Sequence, residues 1–222
     1  MRAARRTGTI TAAAAGLLLL AAQLLLPRLA AHRISSRLAR YGRVESVQVS
    51  AWPAVKLLWA GADSVAIRAG DLSLSASEAA DLLSESGGAE RVRASARTVE
   101  LGSLRLTDVR VAGDPGELSA TASVSAADVR AALPPGVQVE LLDSERGSVR
   151  VRVSGGLFGL SAAIDAVAEP SDGGLLVKPE GFLMQAFTLR LFSDPRVRLQ
   201  AVGASADAAA AGYRLRVSAT VG

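Results

Sequence analysis

Apolar and polar residues alternate with a period of two through long stretches of this 222-residue chain. The clearest stretch is YRLRVSATV, residues 213–221, and the next is VRVRV, residues 149–153. Weaker alternation runs through residues 65–74, 92–111, 118–124, 137–141, 187–191 and 197–201. Successive side chains of a strand point to opposite sides, so each segment has one apolar side and one wet side. The pattern predicts an α+β fold that consists mainly of antiparallel sheet covered on a single side.

Two of the predicted strands change the parity of their apolar positions part-way along. Leu104 and Leu106 are followed by Val109 and Val111, and residues 65, 67 and 69 are followed by residues 72 and 74. A strand keeps its apolar side chains on one side across such a change only through a bulge or a bend. Long, bent strands predict a highly curved sheet.

Two short helices are predicted to lie against the apolar side of this sheet. Residues 72–83 and 122–133 both run from a strand through a serine into a helical pattern. Ser75 with Glu78, and Ser125 with Asp128, have the spacing of a capping box. The apolar residues expected to face the sheet, or a ligand held by it, are Leu82, Leu83, Val129 and Leu133.

The N-terminal segment predicts an export signal or a membrane anchor. Three arginines precede an apolar run, residues 10–26, and a basic amphipathic helix is predicted from residue 27 to residue 43. A cleavable signal ends in a small-x-small site, and Leu29-Ala30-Ala31 has leucine at the outer position, which favours retention over cleavage. We expect residues 1–33 to be a signal peptide or anchor with a basic stalk. Residues 34–222 are then one exported domain of the periplasm or cell envelope.

Composition limits the chemistry that this chain can perform. With no cysteine and one histidine, His32, it offers neither thiolate metal sites nor a histidine-based triad in a cleft. The closest carboxylate pairs, Glu78 with Asp81 and Asp143 with Glu145, are accounted for by a helix start and a hairpin turn. The net charge of +4 is carried by 23 arginines, which suits an anionic lipid or polymer surface, but no aromatic residues are interleaved as nucleic acid binding requires. We expect no enzymatic activity, no catalytic residues, no metal site and no cofactor.

The feature of the sequence that these chemical arguments leave unexplained is its large amount of apolar strand surface. The stretch VSAWPAVKLLWAG, residues 49–61, holds both tryptophans, and Pro53 must end a strand because it has no amide hydrogen. The stretch SGGLFGL, residues 154–160, is expected to be a turn with an apolar tip at Leu157 and Phe158. The surplus predicts either a concave side left open for an acyl chain or an ordinary closed core. A closed core would leave a structural or protein-interaction module of the envelope that binds no lipid.

The order of these segments resembles the LmeA-type phospholipid-binding family of actinobacterial cell-envelope proteins. The resemblance lies in a strand followed by Trp52-Pro53, then in the segments LLWAG, DSVAIRAGDLSLS, LGSLRLTDVRV, ADVRAAL and YRLRVSATV. The family usually has Gly-Phe-Pro where this chain has Ala51-Trp52-Pro53, so the aromatic ring is preserved. The resemblance covers residues 34–222. It implies a tubular-lipid-binding-like fold, in which a curved sheet wraps around short helices and an apolar tunnel, and non-catalytic binding of phospholipid or glycolipid.

The resemblance also gives the two tryptophans a role at a membrane-facing edge where a lipid enters. An indole can bury its ring in lipid and keep its N–H in water, and Lys56 between the rings could meet a phosphate. The residues expected at this edge are Trp52, Pro53, Lys56, Leu57, Leu58 and Trp59. The alternative is that the two rings plug one end of the sheet.

Overall fold

In the computed structural model, the described residues are 23, 25–59, 61–85, 89–157, 160–171, 174–180, 189–193 and 197–221. Helix α1 occupies residues 25–38, so it crosses the predicted boundary at residue 33. Its inner side is apolar, with Leu38 buried and Ile34 half-buried, whereas Arg33 and Arg37 on the other side are exposed. This division confirms an amphipathic helix. None of the helices in these ranges has both the length and the apolar composition needed to cross a membrane.

Helix α1 ends earlier than predicted because strand β1 begins at Gly42. Gly42 has a φ of 151°, and a Cβ at this position would lie 2.0 Å from the carbonyl oxygen of Asp71. The carbonyl of the preceding Tyr41 accepts a 2.7 Å hydrogen bond from the amide of Ser73. This close approach of two backbones requires glycine and stops the helical pattern before residue 43.

Seven strands form the first sheet, in the spatial order β1-β2-β3-β4-β5-β12-β11. Their bounds are β1 Gly42–Ser50, β2 Ser64–Leu74, β3 Val92–Leu101, β4 Leu104–Asp114, β5 Glu117–Ser125, β11 Val197–Asp207 and β12 Gly212–Val221. The predicted segment 92–111 is therefore a hairpin that turns at Gly102, not one strand. Strands β2 and β3 are parallel and are connected through helix α2, Ala76–Glu85. The antiparallel prediction is wrong for this pair, because a period of two reports which face is covered and says nothing about strand direction.

A second sheet contains five strands in the order β10-β9-β8-β7-β6, all antiparallel. Their bounds are β6 Val137–Glu145, β7 Ser148–Leu157, β8 Leu160–Ser171, β9 Gly174–Pro179 and β10 Leu189–Ser193. The sequence predicted one sheet and missed β8 and β9. The apolar positions of β8 are largely alanine, and β9 has the consecutive apolar residues Leu175, Leu176 and Val177, so neither strand shows a clear alternation. Helix α3, Ala126–Ala132, lies between the sheets in sequence and contacts β4, β5, β6 and β12.

The two sheets meet along β11, which contacts β6, β7, β8 and β9. The amide of Val202 donates to the carbonyl of Gly147 at 2.8 Å, and the amide of Ala204 donates to the hydroxyl of Ser144 at 2.9 Å. These bonds tie the tip of the β6-β7 hairpin to the edge strand of the first sheet. The closeness of the junction shows at Gly147, where an added Cβ would lie 2.9 Å from the Cβ of Ala201.

The local features predicted for bulges and caps are confirmed. The register of β4 against β5 shifts between Thr107 and Arg110, and Asp108 has a φ of 49°. The register of β1 against β2 shifts opposite the change of parity in β2. In the first cap the amide of Ser75 donates to Glu78 at 2.8 Å and the amide of Glu78 donates back to the hydroxyl of Ser75 at 3.2 Å. In the second, the amide of Asp128 donates to the hydroxyl of Ser125 at 3.0 Å.

Candidate functional site

One row of apolar residues crosses all seven strands of the first sheet. Residues paired directly across neighbouring strands share one face of a sheet, so the strand registers define the row. It consists of Val47, Ile67, Ala94, Val111, Ala120, Val217 and Val202. Six of these residues are half-buried, and Val202 at the end of the row is buried. We call these seven residues the apolar row.

The neighbouring row on the same face is covered more completely. Val92, Leu118 and Ala219 in that row are buried, and Leu118 and Ala219 form a small core with Val111 and Leu199. In the part of the chain that the structure describes, no large side chain is fully buried. The first sheet therefore presents a continuous apolar face that is packed in one row and only half covered in the next.

The loop after β1 presents an exposed indole at the edge of this sheet. Trp52 is 73% exposed, so its ring does not plug the end of the sheet. The Trp52-Pro53 bond is cis, and Pro53 is also exposed. The backbone N–H of Trp52 donates to the carboxylate of Asp63 at 2.5 Å, which fixes the loop against the start of β2. The short 3-10 helix Ala54–Trp59 follows directly.

The same loop is held from the other side by Gln23. Its side-chain amide donates to the carbonyl of Ala51 at 3.2 Å, and its side-chain oxygen accepts from the amide of Ala54 at 2.8 Å. Both alanines are buried. The two bonds hold the start of α1 beside the Trp52 loop. Leu25 and Leu29 in this part of α1 are exposed, as Trp52 is.

Lys56 has carboxylate neighbours on this edge. Its ammonium group lies 3.2 Å from Asp63 and 4.0 Å from Glu90, and its side chain is about half exposed. The pKa of Asp63 is lowered from its ordinary value, first by the N–H of Trp52 and then by Lys56. Asp63 thus links the ammonium group of Lys56 to the Trp52 loop. A phosphate bound to this ammonium group would compete with the carboxylates of Asp63 and Glu90.

The other residues predicted for the site occupy three places. Leu57 in the short helix, Leu82 in α2, and Val129 and Leu133 at α3 are half-buried. The side chains of Leu58, Trp59, Leu83 and Leu157 and the whole of Phe158 lie outside the described residues. The pairing of residue 157 with Leu160 agrees with the predicted turn between them.

The polar residues weighed for catalysis are dispersed. His32 is exposed on α1, and Glu78 is engaged in the cap of α2, where Ser75 lowers its pKa. Asp143 and Glu145 lie on β6 beside its hairpin turn. No group of three or more potential metal ligands occurs among the described residues.

Sequence reasoning missed the two residues that fix the Trp52 loop, Gln23 and Asp63. Gln23 carried a usable signal, because a side-chain amide inside an otherwise apolar run needs a hydrogen-bond partner. Asp63 carried none, since an aspartate before a strand is common in turns and its partner is a backbone amide eleven residues away.

The fold and this surface define a two-sheet α+β protein with a continuous apolar face on its larger sheet. The chain belongs to the LmeA-like phospholipid-binding family, whose model matches residues 21–219. That range begins before α1 and takes in both sheets. Comparison with curated proteins and with solved structures gave no match. The family shows lipid binding as the general function.

Proposed function

We propose that this chain binds acyl chains of phospholipid or glycolipid along the apolar row, without catalysing a reaction, in the cell envelope outside the cytoplasm. The observation that carries the proposal is a row that is apolar on all seven strands and in which only Val202 is buried. Curvature of the sheet around the ligand, as in a tubular-lipid-binding-like fold, is part of the proposal. The bulges in β1 and β4 favour it, because a bulge bends its strand and increases its twist.

The row is long enough for an acyl chain to lie along it. Seven strands about 4.8 Å apart span roughly 29 Å from the first to the last. A bilayer core of ~30 Å holds two acyl lengths, so one chain occupies about half of the row. Each methylene removed from water contributes about 0.8 kcal/mol. Covering the exposed parts of the Val, Ile and Ala side chains in the row adds to this on the protein side.

We propose that the edge at Trp52 is where the lipid leaves or enters a membrane. Trp52, Leu25 and Leu29 are among the most exposed large apolar residues of the described chain. Because Gln23 joins the Trp52 loop to α1, and residue 23 lies within the apolar run 10–26, retention of that run as an anchor would hold the loop at the membrane surface. Indoles are enriched at this depth because they combine an apolar ring with a polar N–H.

Crosslinking with a phospholipid that carries a diazirine in its acyl chain tests the groove in the full chain. Adducts should map to the apolar row and should be reduced by Ala120→Phe, which fills the half-buried position between Val111 and Val217. The matched control is Ala112→Phe, an exposed position on the opposite face of β4. Adducts confined to residues 10–26, or equal losses in both variants, would reject the groove.

Two further measurements test the remaining parts. Glu78→Gln and Asp143→Asn should leave lipid crosslinking and complementation of a deletion strain unchanged, and loss of complementation by a stable variant would reopen an enzymatic role. Because the chain has no cysteine, a single Ser103→Cys, at an exposed position of the turn between β3 and β4, is a clean probe of location. The outer layer of the cells is permeabilised while the cytoplasmic membrane stays intact, and a membrane-impermeant maleimide is added. Labelling of the cysteine supports export, and protection from the reagent contradicts it.

A further inference from the structure

The face of the first sheet opposite to the apolar row carries a row of arginines. The registers align Ser46, Arg68, Ser95, Arg110, Thr121, Arg216 and Gly203 across the seven strands. Each is the sequence neighbour of a residue in the apolar row, so it points to the other side. The arginines stand on every second strand, about 9.5 Å apart, and are exposed. Small residues separate them and leave the guanidinium groups accessible.

The next row on this face adds a fourth arginine and no acid. It contains Gln48, Ala66, Arg93, Ala112, Ser119, Ser218 and Ala201. We call the twelve positions of these two rows on the six strands from β1 to β12 the arginine strip. On β11, Ala201 and Gly203 lie beside the β6-β7 hairpin and are not part of it. Within the described chain, none of its four arginines forms an ion pair.

Four other arginines of the two sheets have carboxylate partners. Arg97 pairs with Glu45 at 3.1 Å, Arg105 with Glu100 at 2.8 Å, and Arg214 with Asp207 at 2.9 Å, all on the same sheet. On the second sheet Arg152 pairs with Asp165. Carboxylates neutralise these four arginines, whereas no carboxylate occupies a position of the strip. The strip therefore has four positive charges that can face a partner of opposite sign.

We propose that the arginine strip docks this protein onto the anionic phospholipid head groups of a membrane. Four guanidinium groups arranged in two dimensions match a flat array of phosphates better than a single polymer strand. The edge strand of the strip, β1, leads into the loop with the exposed Trp52, a residue type typical of membrane interfaces. The inference concerns the face opposite to the groove and does not depend on acyl chains binding there.

A site-specific probe in the full chain tests the docking. Ser95→Cys places a fluorophore between Arg68 and Arg110 in a chain that has no other cysteine. The labelled protein is reconstituted in vesicles of phosphatidylcholine, alone or mixed equally with phosphatidylglycerol, that contain a head-group-labelled quencher lipid. We expect quenching only in the anionic mixture and its reversal by salt, because screening weakens contacts between exposed charges.

Removing two arginines gives the expected magnitude. Each arginine near an anionic membrane surface contributes about five-fold to association, so Arg68→Gln with Arg110→Gln should lower the ratio of docked to undocked molecules about 25-fold. The control is Arg150→Gln with Arg152→Gln, which changes the net charge equally on the second sheet, where both arginines already have carboxylate partners.

Three outcomes would overturn the proposal: quenching that is equal in both vesicle types, equal loss in both double variants, or polyphosphate binding that Arg68→Gln with Arg110→Gln abolishes while quenching by anionic vesicles is kept. The last would assign the strip to a soluble anionic polymer. Acyl-chain crosslinking measured on the same samples separates these results from a failure of the groove, since the four arginines lie on the other face.

Discussion

Replacing Trp52 with alanine should weaken membrane association far more than it lowers stability. The side chain is 73% exposed, so about a quarter of its roughly 250 Å² of surface is covered by protein. At about 25 cal/mol per Å², the covered part contributes at most about 1.5 kcal/mol to the free energy of unfolding. For a domain of this size the melting temperature should fall by no more than about 5 °C. The backbone N–H that Trp52 donates to Asp63 is kept in the variant.

The exposed part of the ring sets the expected effect on binding. If half of the uncovered ~180 Å² enters the interface of a vesicle, the contribution is about 2 kcal/mol, or roughly thirty-fold in the partition coefficient. The assay is co-sedimentation of a truncated chain that begins at Gln23 with anionic vesicles, alongside thermal melting of the same samples. Trp52→Phe is the control that keeps a ring.

Fluorescence gives an independent reading of the same contact. In a Trp59→Phe background, Trp52 is the single indole of the chain. Its emission should shift to the blue and be quenched by brominated lipid when vesicles are added. Unchanged partitioning of Trp52→Ala, together with a large loss of melting temperature, would refute the reasoning, because it would mean that the ring is a packing element.

The remaining predictions concern stability. Gly147→Ala should lower the free energy of unfolding, measured with urea, by about 1–3 kcal/mol, because the added Cβ lies 2.9 Å from the Cβ of Ala201. Gly116→Ala, with the same φ of 81° and nothing within 4 Å, should show only the smaller backbone strain, and equal losses in the two variants would contradict a tight junction between the sheets. Gln23→Ala should lose about 1–3 kcal/mol and speed hydrogen exchange in the Trp52 loop, unlike Gln48→Ala on the exposed face of β1, and unchanged exchange would contradict the tie. The hydroxyl of Ser123 and then the guanidinium of Arg214 lower the pKa of Asp207, so the carboxylate stabilises the fold above its ordinary value of 3.8 and loses this effect as pH falls through the lower folded-state pKa. The stability difference between the parent and Asp207→Asn should therefore shrink between pH 6 and pH 3, and a constant difference would contradict the lowered pKa.

The sequence by itself determined the local structure at positions where a residue type, or the spacing of two residues, favours one hydrogen-bond pattern or one backbone conformation. Ser75 with Glu78 began a helix because the two groups satisfy each other's hydrogen bonds. Strand β1 ends at Ser50, three residues before Pro53, which has no amide hydrogen to continue the ladder. The parity change before Val109 located a bulge, since a strand has only two sides. The order of these segments was also enough to identify the family.

Only the tertiary structure decided which strands are neighbours and therefore which residues lie in line. A period of two states that Arg68, Arg110 and Arg216 are on wet faces, but their alignment depends on registers between strands far apart in sequence. The parallel pairing of β2 with β3 and the division into two sheets depend in the same way on long-range contacts. The exposure of Trp52 was open as well, because an indole suits a core and an interface equally. What surrounds it is set by Asp63 and Gln23, which reach the loop from segments that alternation alone does not relate to it.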